Sequence, residues 1–95
     1  MSMHSPVHPG AILREDVMPD LGLTVGEVAE RLGISRVTFS RVLHEHSRLS
    51  PSLAVRLEEA GVGNARTWLA MQTAYDLAAE RAAGPPHVTR LIGAG

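Results

Sequence analysis

The sequence predicts an all-α fold of five short helices. Helix start and stop signals divide the chain into five segments, and no stretch shows convincing strand alternation. With 95 residues and 44% apolar content, the chain suffices for one globular domain with a modest core. We expect this domain at 8–83, between a flexible N-terminal arm at 1–7 and a mobile tail at 84–95 that is rich in glycine and proline.

The first helix is expected in the segment "HPGAILREDVM". Pro9 suits a helix start, because the N–H that proline lacks is not needed in the first turn. Ile12, Leu13 and Val17 supply apolar side chains. Pro19 predicts the end of this helix, since proline inside a helix removes a backbone hydrogen bond.

The second helix has the most strongly marked start. Thr24 followed by Glu27 three residues later forms a capping box, and Leu23 and Val28 occupy the positions of a hydrophobic staple. Gly33 predicts the end of the helix, because glycine adopts the positive φ that a helix terminus often requires.

Polar residues also mark the starts of the other three helices. Ser35 is the predicted N-cap of the third helix, and Ser50 with Pro51 opens the fourth. Asn64 opens the fifth, which is expected to run to about Ala82. Each cap agrees with the apolar periodicity that follows it.

Positive charge is concentrated on the second and third helices. The formal net charge is −1, with nine arginines and no lysine. Residues 1–30 hold one arginine and five acids, whereas residues 31–48 hold four arginines and one acid. Two short helices joined by a glycine turn are typical of a helix-turn-helix, whose second helix lies in the major groove of DNA. The pattern indicates DNA binding, although an ordinary αα-hairpin with a solvated basic face would share it.

The third helix is expected to turn one face toward DNA. If Phe39, Val42 and Leu43 point inward, the step of about 100° per residue turns the opposite side outward. The residues that we expect at base edges are Arg36, Val37, Ser40 and Arg41. Those that we expect at the DNA backbone are Ser35, Thr38, His44 and Arg48. Arginine binds guanine in a bidentate manner, and valine can contact a thymine methyl group.

The fifth helix carries apolar residues on two sides, which predicts a dimer. One side holds Trp68, Met71, Tyr75 and Ala78, and Leu77 lies about half a turn from Tyr75. One small domain can hardly cover both sides, so we expect these five residues at a two-fold interface. The alternative is that Trp68 and Tyr75 are core aromatics of a monomer.

The chain also resembles a known family over residues 8 to about 80. The matching segments are "HPGAILRED", "LGLT", "VAERLGISRVTFSRVL", "SPSLAVRLEEAG" and "TWLAMQTAYDL". They are similar to Xre-type helix-turn-helix antitoxins of the HigA group, also called VapI. The resemblance implies a lambda-repressor-like domain with a C-terminal dimerisation helix. It also implies a homodimer that binds palindromic operator DNA, represses its own operon and neutralises a HigB-like toxin, an mRNA-cleaving ribonuclease of the RelE type. The absence of cysteine and of a signal-peptide pattern favours a cytoplasmic location.

Two other functions stay open at this point. One is a solitary Xre-type repressor without a toxin. The other is a protein-interaction module that masks a toxin and binds little DNA. In that module the acidic residues Glu15, Asp16 and Asp20 of the first helix would meet a basic ribonuclease surface.

The sequence departs from the family after the recognition helix. The family usually reads Asn-Gly followed by basic residues, whereas this chain reads "HEHSR" at 44–48. The change removes a C-cap glycine, places Glu45 near the DNA backbone and leaves Arg48 as the one fixed positive charge in the loop. It brings the phosphate contacts there into question and predicts a pH-dependent affinity through His44 and His46.

Composition and spacing argue against several other classes. The absence of cysteine excludes disulfides, thiolate metal sites and a cysteine nucleophile. The histidines His4, His8, His44, His46 and His87 lack metal-ligand spacing, and the serines lack a GxSxG turn, so we expect no metal, cofactor or enzymatic activity. His8 is expected to cap the first helix. No apolar run approaches the roughly 20 residues of a membrane helix.

Overall fold

The computed structural model describes residues 5–93, which fold into five helices without a strand. Helix α1 consists of an α-helical turn at Pro9–Ile12, a π-helical segment at Leu13–Val17 and an α-helical turn at Met18–Leu21. The others are α2 at Val25–Leu32, α3 at Arg36–Leu43, α4 at Pro51–Glu59 and α5 at Ala65–Ala82. The predicted all-α, five-helix fold is confirmed. Residues 1–4 and 94–95 of the predicted arm and tail lie outside the described residues.

The predicted helix starts are confirmed by their hydrogen bonds. Ser35, Ser50 and Asn64 each accept a bond from the backbone N–H three residues later. The capping box of α2 is complete, with Glu27 N–H donating to Thr24 Oγ1 at 3.1 Å and Thr24 N–H donating to Glu27 Oε1 at 2.8 Å. Local sequence therefore determines where these four helices begin.

The prediction that the first helix ends at Pro19 is wrong. The Met18 N–H bonds to the Leu13 carbonyl five residues earlier, which is the pattern of a π-helical turn. In a regular α-helix the Pro19 ring would press on the carbonyl of Glu15, and the wider turn relieves that conflict. The helix continues to Leu21 and ends at Gly22, where φ is +66°.

The core is one apolar cluster to which all five helices contribute. Phe39 of α3 is a fully buried member of this cluster. The other buried apolar residues are Leu13, Val28, Ala29, Leu32, Val42, Leu43, Leu49, Leu53, Ala54, Leu57 and Trp68. Phe39, Val42 and Leu43 of α3 are the residues that the helical periodicity assigns to the inside.

Helix α1 packs tightly against α3 at Gly10. A Cβ atom built on Gly10 would lie 1.8 Å from the carbonyl oxygen of Val42, so no larger residue fits without movement of the backbone. Next to this contact, the buried His8 ring accepts a hydrogen bond from Gly10 N–H at its Nδ1 (2.9 Å). The same ring packs edge-on against Tyr75 of α5, with 4.9 Å between ring centroids. His8 therefore caps α1, as expected, and joins it to α5.

Residues 84–93 follow α5 without regular secondary structure. They include three exposed large apolar side chains, Val88, Leu91 and Ile92. Within residues 5–93, no helix combines the length and hydrophobicity needed to cross a membrane.

Candidate nucleic-acid interface

Helices α2 and α3 form a helix-turn-helix around Gly33. Gly33 has φ of +75°, and the N–H of Ile34 bonds to the Ala29 carbonyl at 3.0 Å, which closes the end of α2. Ala29, whose carbonyl closes the turn, is 1% exposed and belongs to the apolar core. The turn therefore has the geometry that the sequence predicted.

The outer face of α3 presents the predicted base-reading residues. Arg36, Val37 and Arg41 are exposed, Val37 to 67% of its surface, and Ser40 is half-buried. An exposed valine flanked by arginines offers both an apolar contact and hydrogen-bond donors. The predicted backbone-binding residues Ser35, Thr38, His44 and Arg48 are also exposed.

The two arginines of this face differ in their surroundings. Arg41 donates from Nε to Ser47 Oγ at 3.1 Å and from a terminal nitrogen to the His46 carbonyl at 3.4 Å. Arg36 makes no side-chain hydrogen bond within residues 5–93, and its stem passes over Gly26 of α2. Arg36 can therefore present its whole guanidinium group to a ligand, whereas Arg41 must first break its hydrogen bonds to Ser47 and to the His46 carbonyl.

Several polar side chains of this face already form hydrogen bonds within α3 or at its N-cap. Ser35 Oγ accepts from Thr38 N–H at 3.0 Å and donates to Thr38 Oγ1 at 2.7 Å. His44 Nδ1 lies 2.9 Å from the Ser40 carbonyl oxygen, a contact that requires the proton on Nδ1. The other ring nitrogen, Nε2, has no hydrogen-bond partner within residues 5–93.

The end of α3 is formed by Glu45 in place of glycine. Glu45 has φ of +65°, the left-handed conformation, and its N–H bonds to the Val42 carbonyl at 3.0 Å. The His46 N–H reaches the Arg41 carbonyl at 2.8 Å, which completes a Schellman motif. The turn thus forms without a glycine at its left-handed position.

Arg14 of α1 holds this end of α3 in place. It donates to the Leu43 carbonyl at 2.6 Å and to Glu45 Oε2 at 3.2 Å from one nitrogen, and to Glu15 at 2.8 Å from the other. These hydrogen bonds to the two carboxylates raise the pKa of Arg14 above its usual value. The negative charge of Glu45 is therefore paired with Arg14, and a cation lies at the negative end of the α3 dipole. Sequence reasoning missed this role of Arg14, since its partners are far away in the chain.

The loop after α3 is anchored to α5. Leu49 N–H donates to Gln72 Oε1 at 2.7 Å, and Gln72 Nε2 donates to Asp76 Oδ1 at 2.9 Å. The other carboxylate oxygen of Asp76 accepts from Arg48 Nε at 2.6 Å. Partial burial acts to raise the pKa of Asp76, but the hydrogen bonds from Arg48 and Gln72 outweigh it, and the pKa is lowered overall. Gln72 and Asp76 are thus further residues that shape the candidate interface.

The predicted dimer residues occupy different environments. Trp68 is 5% exposed and belongs to the monomer core, where its Nε1–H donates to the Val62 carbonyl at 2.8 Å. Met71, Tyr75 and Ala78 are half-buried, and Leu77 is 46% exposed. Within one subunit, therefore, Leu77 is the large apolar residue of this group that is most accessible to a partner.

No group of three or more histidine, aspartate or glutamate side chains within residues 5–93 is arranged to hold a metal ion. His4 lies outside the described residues.

Known proteins are similar to this chain in sequence and in fold. Virulence-associated protein I of Dichelobacter nodosus is 38% identical over 71 residues, which cover 75% of this chain and 66% of that protein. The HTH-type transcriptional regulator YddM of Escherichia coli is 30% identical over 93 residues, covering 97% of this chain and 98% of the relative. This chain thus spans just under two thirds of the first relative and nearly all of the second.

A solved structure agrees with these relatives. The structure of Pseudomonas aeruginosa antitoxin HigA with the higBA promoter superposes with a TM-score of 0.78 at 31% identity, and the match covers 82% of this chain and 85% of that one. No established family model matches the sequence. The similarity in sequence and structure shows that the chain belongs to the HigA group of Xre-type helix-turn-helix proteins, a family of transcriptional regulators and antitoxins rather than enzymes.

Proposed function

We propose that the chain is a dimeric DNA-binding antitoxin that represses its own operon and neutralises a HigB-like toxin. The observation that carries the proposal is the exposed face of α3, where Arg36, Val37 and Arg41 project from a helix-turn-helix. The likeness to an antitoxin whose structure was solved with promoter DNA supports it. Basic charge on this face, within an otherwise acidic chain, favours specific over indiscriminate DNA binding.

The proposed contacts divide between bases and backbone. Arg36 is proposed to bind guanine O6 and N7, with Val37, Ser40 and Arg41 at neighbouring base edges. Ser35, Thr38, His44 and Arg48 are proposed to contact the phosphates. Because Ser35 Oγ already caps the helix, its contribution would come mainly from backbone N–H groups at the start of α3.

We further propose that α5 forms the dimer. Leu77, Met71, Tyr75 and Ala78 would meet a second subunit, and the buried Trp68 would support this surface from inside. A two-fold arrangement would place two copies of α3 about 34 Å apart on one DNA face, which requires a palindromic operator.

The experiment for DNA binding is fluorescence anisotropy with DNA from immediately upstream of the gene, at two salt concentrations. Binding should be much tighter than to scrambled DNA and should weaken with salt. Arg36→Ala should cost about 1–3 kcal/mol and relax specificity at one base position. Equal affinity for scrambled and upstream DNA would refute the operator-binding part of the proposal.

The toxin is tested separately by co-expression with the neighbouring gene. A small basic protein should co-purify with the chain, and its ribonuclease activity should disappear when the chain is in excess. If no such protein exists, the chain is a solitary repressor. An inhibited toxin together with no operator binding would instead support the interaction module, for which the exposed Asp16 and Asp20 of α1 offer an acidic surface.

A further inference from the structure

Arg48 is held by Asp76 in a way that leaves part of its guanidinium group available. Asp76 accepts from Nε of Arg48 at 2.6 Å. The two terminal nitrogens of Arg48 have no hydrogen-bond partner within residues 5–93, and the side chain is 64% exposed. Because the guanidinium group is planar, fixing Nε also fixes the direction in which the terminal N–H groups point.

Asp76 is itself held from the interior. Its second oxygen accepts from Gln72, which is 1% exposed and whose amide oxygen binds the Leu49 N–H. A buried amide therefore orients the carboxylate, and the carboxylate orients the arginine next to it. The same chain of bonds fixes the backbone of the loop that follows α3.

We propose that Asp76 is a positioning residue that holds Arg48 with its terminal nitrogens ready for a DNA phosphate. The inference rests on the proposed DNA-binding function and adds a residue of α5 that does not itself touch DNA. Two terminal donors suit the bidentate recognition of a phosphate, and an arginine fixed in advance loses less side-chain entropy on binding.

The opposite role would be competition, in which Asp76 withdraws Arg48 from the phosphate. The two roles predict effects of opposite sign. Removing a carboxylate makes the chain more positive, so competition and long-range electrostatics both predict tighter DNA binding by an Asp76 variant. Positioning predicts weaker binding in spite of the added positive charge.

The test compares four proteins with the wild type on the upstream DNA: Asp76→Ala, Arg48→Ala, the double variant and Glu80→Ala. Glu80 is an exposed acid one turn further along α5, with no ion pair within residues 5–93, and controls for the change in charge. We expect Arg48→Ala to bind about tenfold more weakly, with the salt slope reduced by about one unit, as for the loss of one phosphate contact. Asp76→Ala should bind about threefold to tenfold more weakly, with a similarly reduced slope.

The double variant should bind no more weakly than Arg48→Ala, because Asp76 acts through Arg48. Glu80→Ala should bind as tightly as the wild type or more tightly. Asp76→Asn keeps the shape and an acceptor for Gln72, and it replaces the alanine variant if thermal unfolding shows that the latter does not fold. It should also bind more weakly than the wild type.

Equal or tighter DNA binding by the folded Asp76 variants overturns the proposal. So does a double variant whose loss of binding free energy equals the sum of the losses of Asp76→Ala and Arg48→Ala. A wild-type protein that does not distinguish upstream from scrambled DNA overturns the proposed function and this inference with it. The two failures are therefore distinguishable.

Discussion

Helices α2 and α3 end with the same hydrogen-bond pattern but with different residues at the left-handed position. Gly33 has φ of +75° after α2, and Glu45 has φ of +65° after α3. In each case the N–H of this residue and of the next one bond back to carbonyls three and five residues earlier. An arginine from another helix then binds a carbonyl near the helix end, Arg56 that of Leu32 and Arg14 that of Leu43, at 2.7 and 2.6 Å.

The difference lies in how the left-handed turn is stabilised. Glycine adopts this conformation without steric cost, whereas a residue with a Cβ is disfavoured by about 1–2 kcal/mol. At Glu45 the cost is offset by contacts, because the carboxylate reaches Arg14, which already binds the same helix end. The C-terminal turn of α3 therefore depends on contacts from α1 more than the C-terminal turn of α2 depends on contacts from α4.

The largest effect is expected from Gly10→Ala, which breaks the packing of α1 on α3. The new Cβ would lie 1.8 Å from the Val42 carbonyl oxygen, and backbone atoms cannot move aside cheaply. We expect a loss of about 3 kcal/mol or more in the free energy of unfolding, measured by urea denaturation. Gly22→Ala is the matched control, since nothing lies within 4 Å of its Cβ and only the positive φ opposes it. A loss no larger than that of the control would mean that α1 does not approach α3 as described.

The next effect is expected from Gly33→Ala at the end of α2. Its left-handed backbone should cost about 1–2 kcal/mol, while the nearby Arg56 terminal nitrogen belongs to a flexible side chain and can shift. Gly26→Ala, inside the same helix, should instead stabilise the protein by about 0.5–1 kcal/mol. Urea denaturation of both variants gives the comparison, and a destabilising Gly26→Ala would show that side-chain packing rather than backbone conformation decides these sites.

Glu45→Gly, the reverse change at the end of α3, should alter stability by less than about 1 kcal/mol. Relief of about 1–2 kcal/mol of backbone cost is opposed by loss of the exposed ion pair with Arg14 and by the greater unfolded-state freedom of glycine, which costs about 0.4–1 kcal/mol. The stability change of Glu45→Gly should thus be smaller than that of Gly33→Ala. A gain above about 2 kcal/mol on urea denaturation would contradict the offset that we ascribe to Arg14.

The smallest effect on stability is expected from lowering the pH, which acts through Asp76 and the loop that follows α3. The pKa of Asp76 is lower in the folded chain than its ordinary value, so its ion pair stabilises the fold above about pH 4. This stabilisation is lost as the pH falls through the lowered folded value. The melting temperature of the wild type should therefore fall more steeply below about pH 4 than that of Asp76→Asn. Parallel curves would show that this carboxylate contributes nothing.

Local signals made much of the fold predictable, and distant contacts account for the remainder. The caps Thr24, Ser35, Ser50 and Asn64 act within three residues, so they can be read from the sequence. The predicted end of the first helix at Pro19 is wrong because a π-helical turn accommodates this proline, and no local sequence signal predicts such a turn.

The residues of the candidate site likewise divide into those that local sequence predicts and those that depend on distant contacts. The outward face of α3 follows from helical periodicity, whereas Arg14 binds a carbonyl 29 residues away and Gln72 an amide 23 residues away. Trp68 was ambiguous because α5 has apolar residues on both sides, and its burial in the monomer core follows only from the packing of α5 on the rest of the chain.

We expect the outer face of α3 to meet DNA, and chemical-shift mapping of the isotope-labelled chain with upstream DNA examines this contact residue by residue. The largest shift changes should fall on Arg36, Val37, Ser40 and Arg41 and on the loop at 44–48, with α1 around Asp16 and Asp20 little changed. Changes centred on the acidic face of α1, or no change at all with a duplex that contains the palindrome, would contradict it.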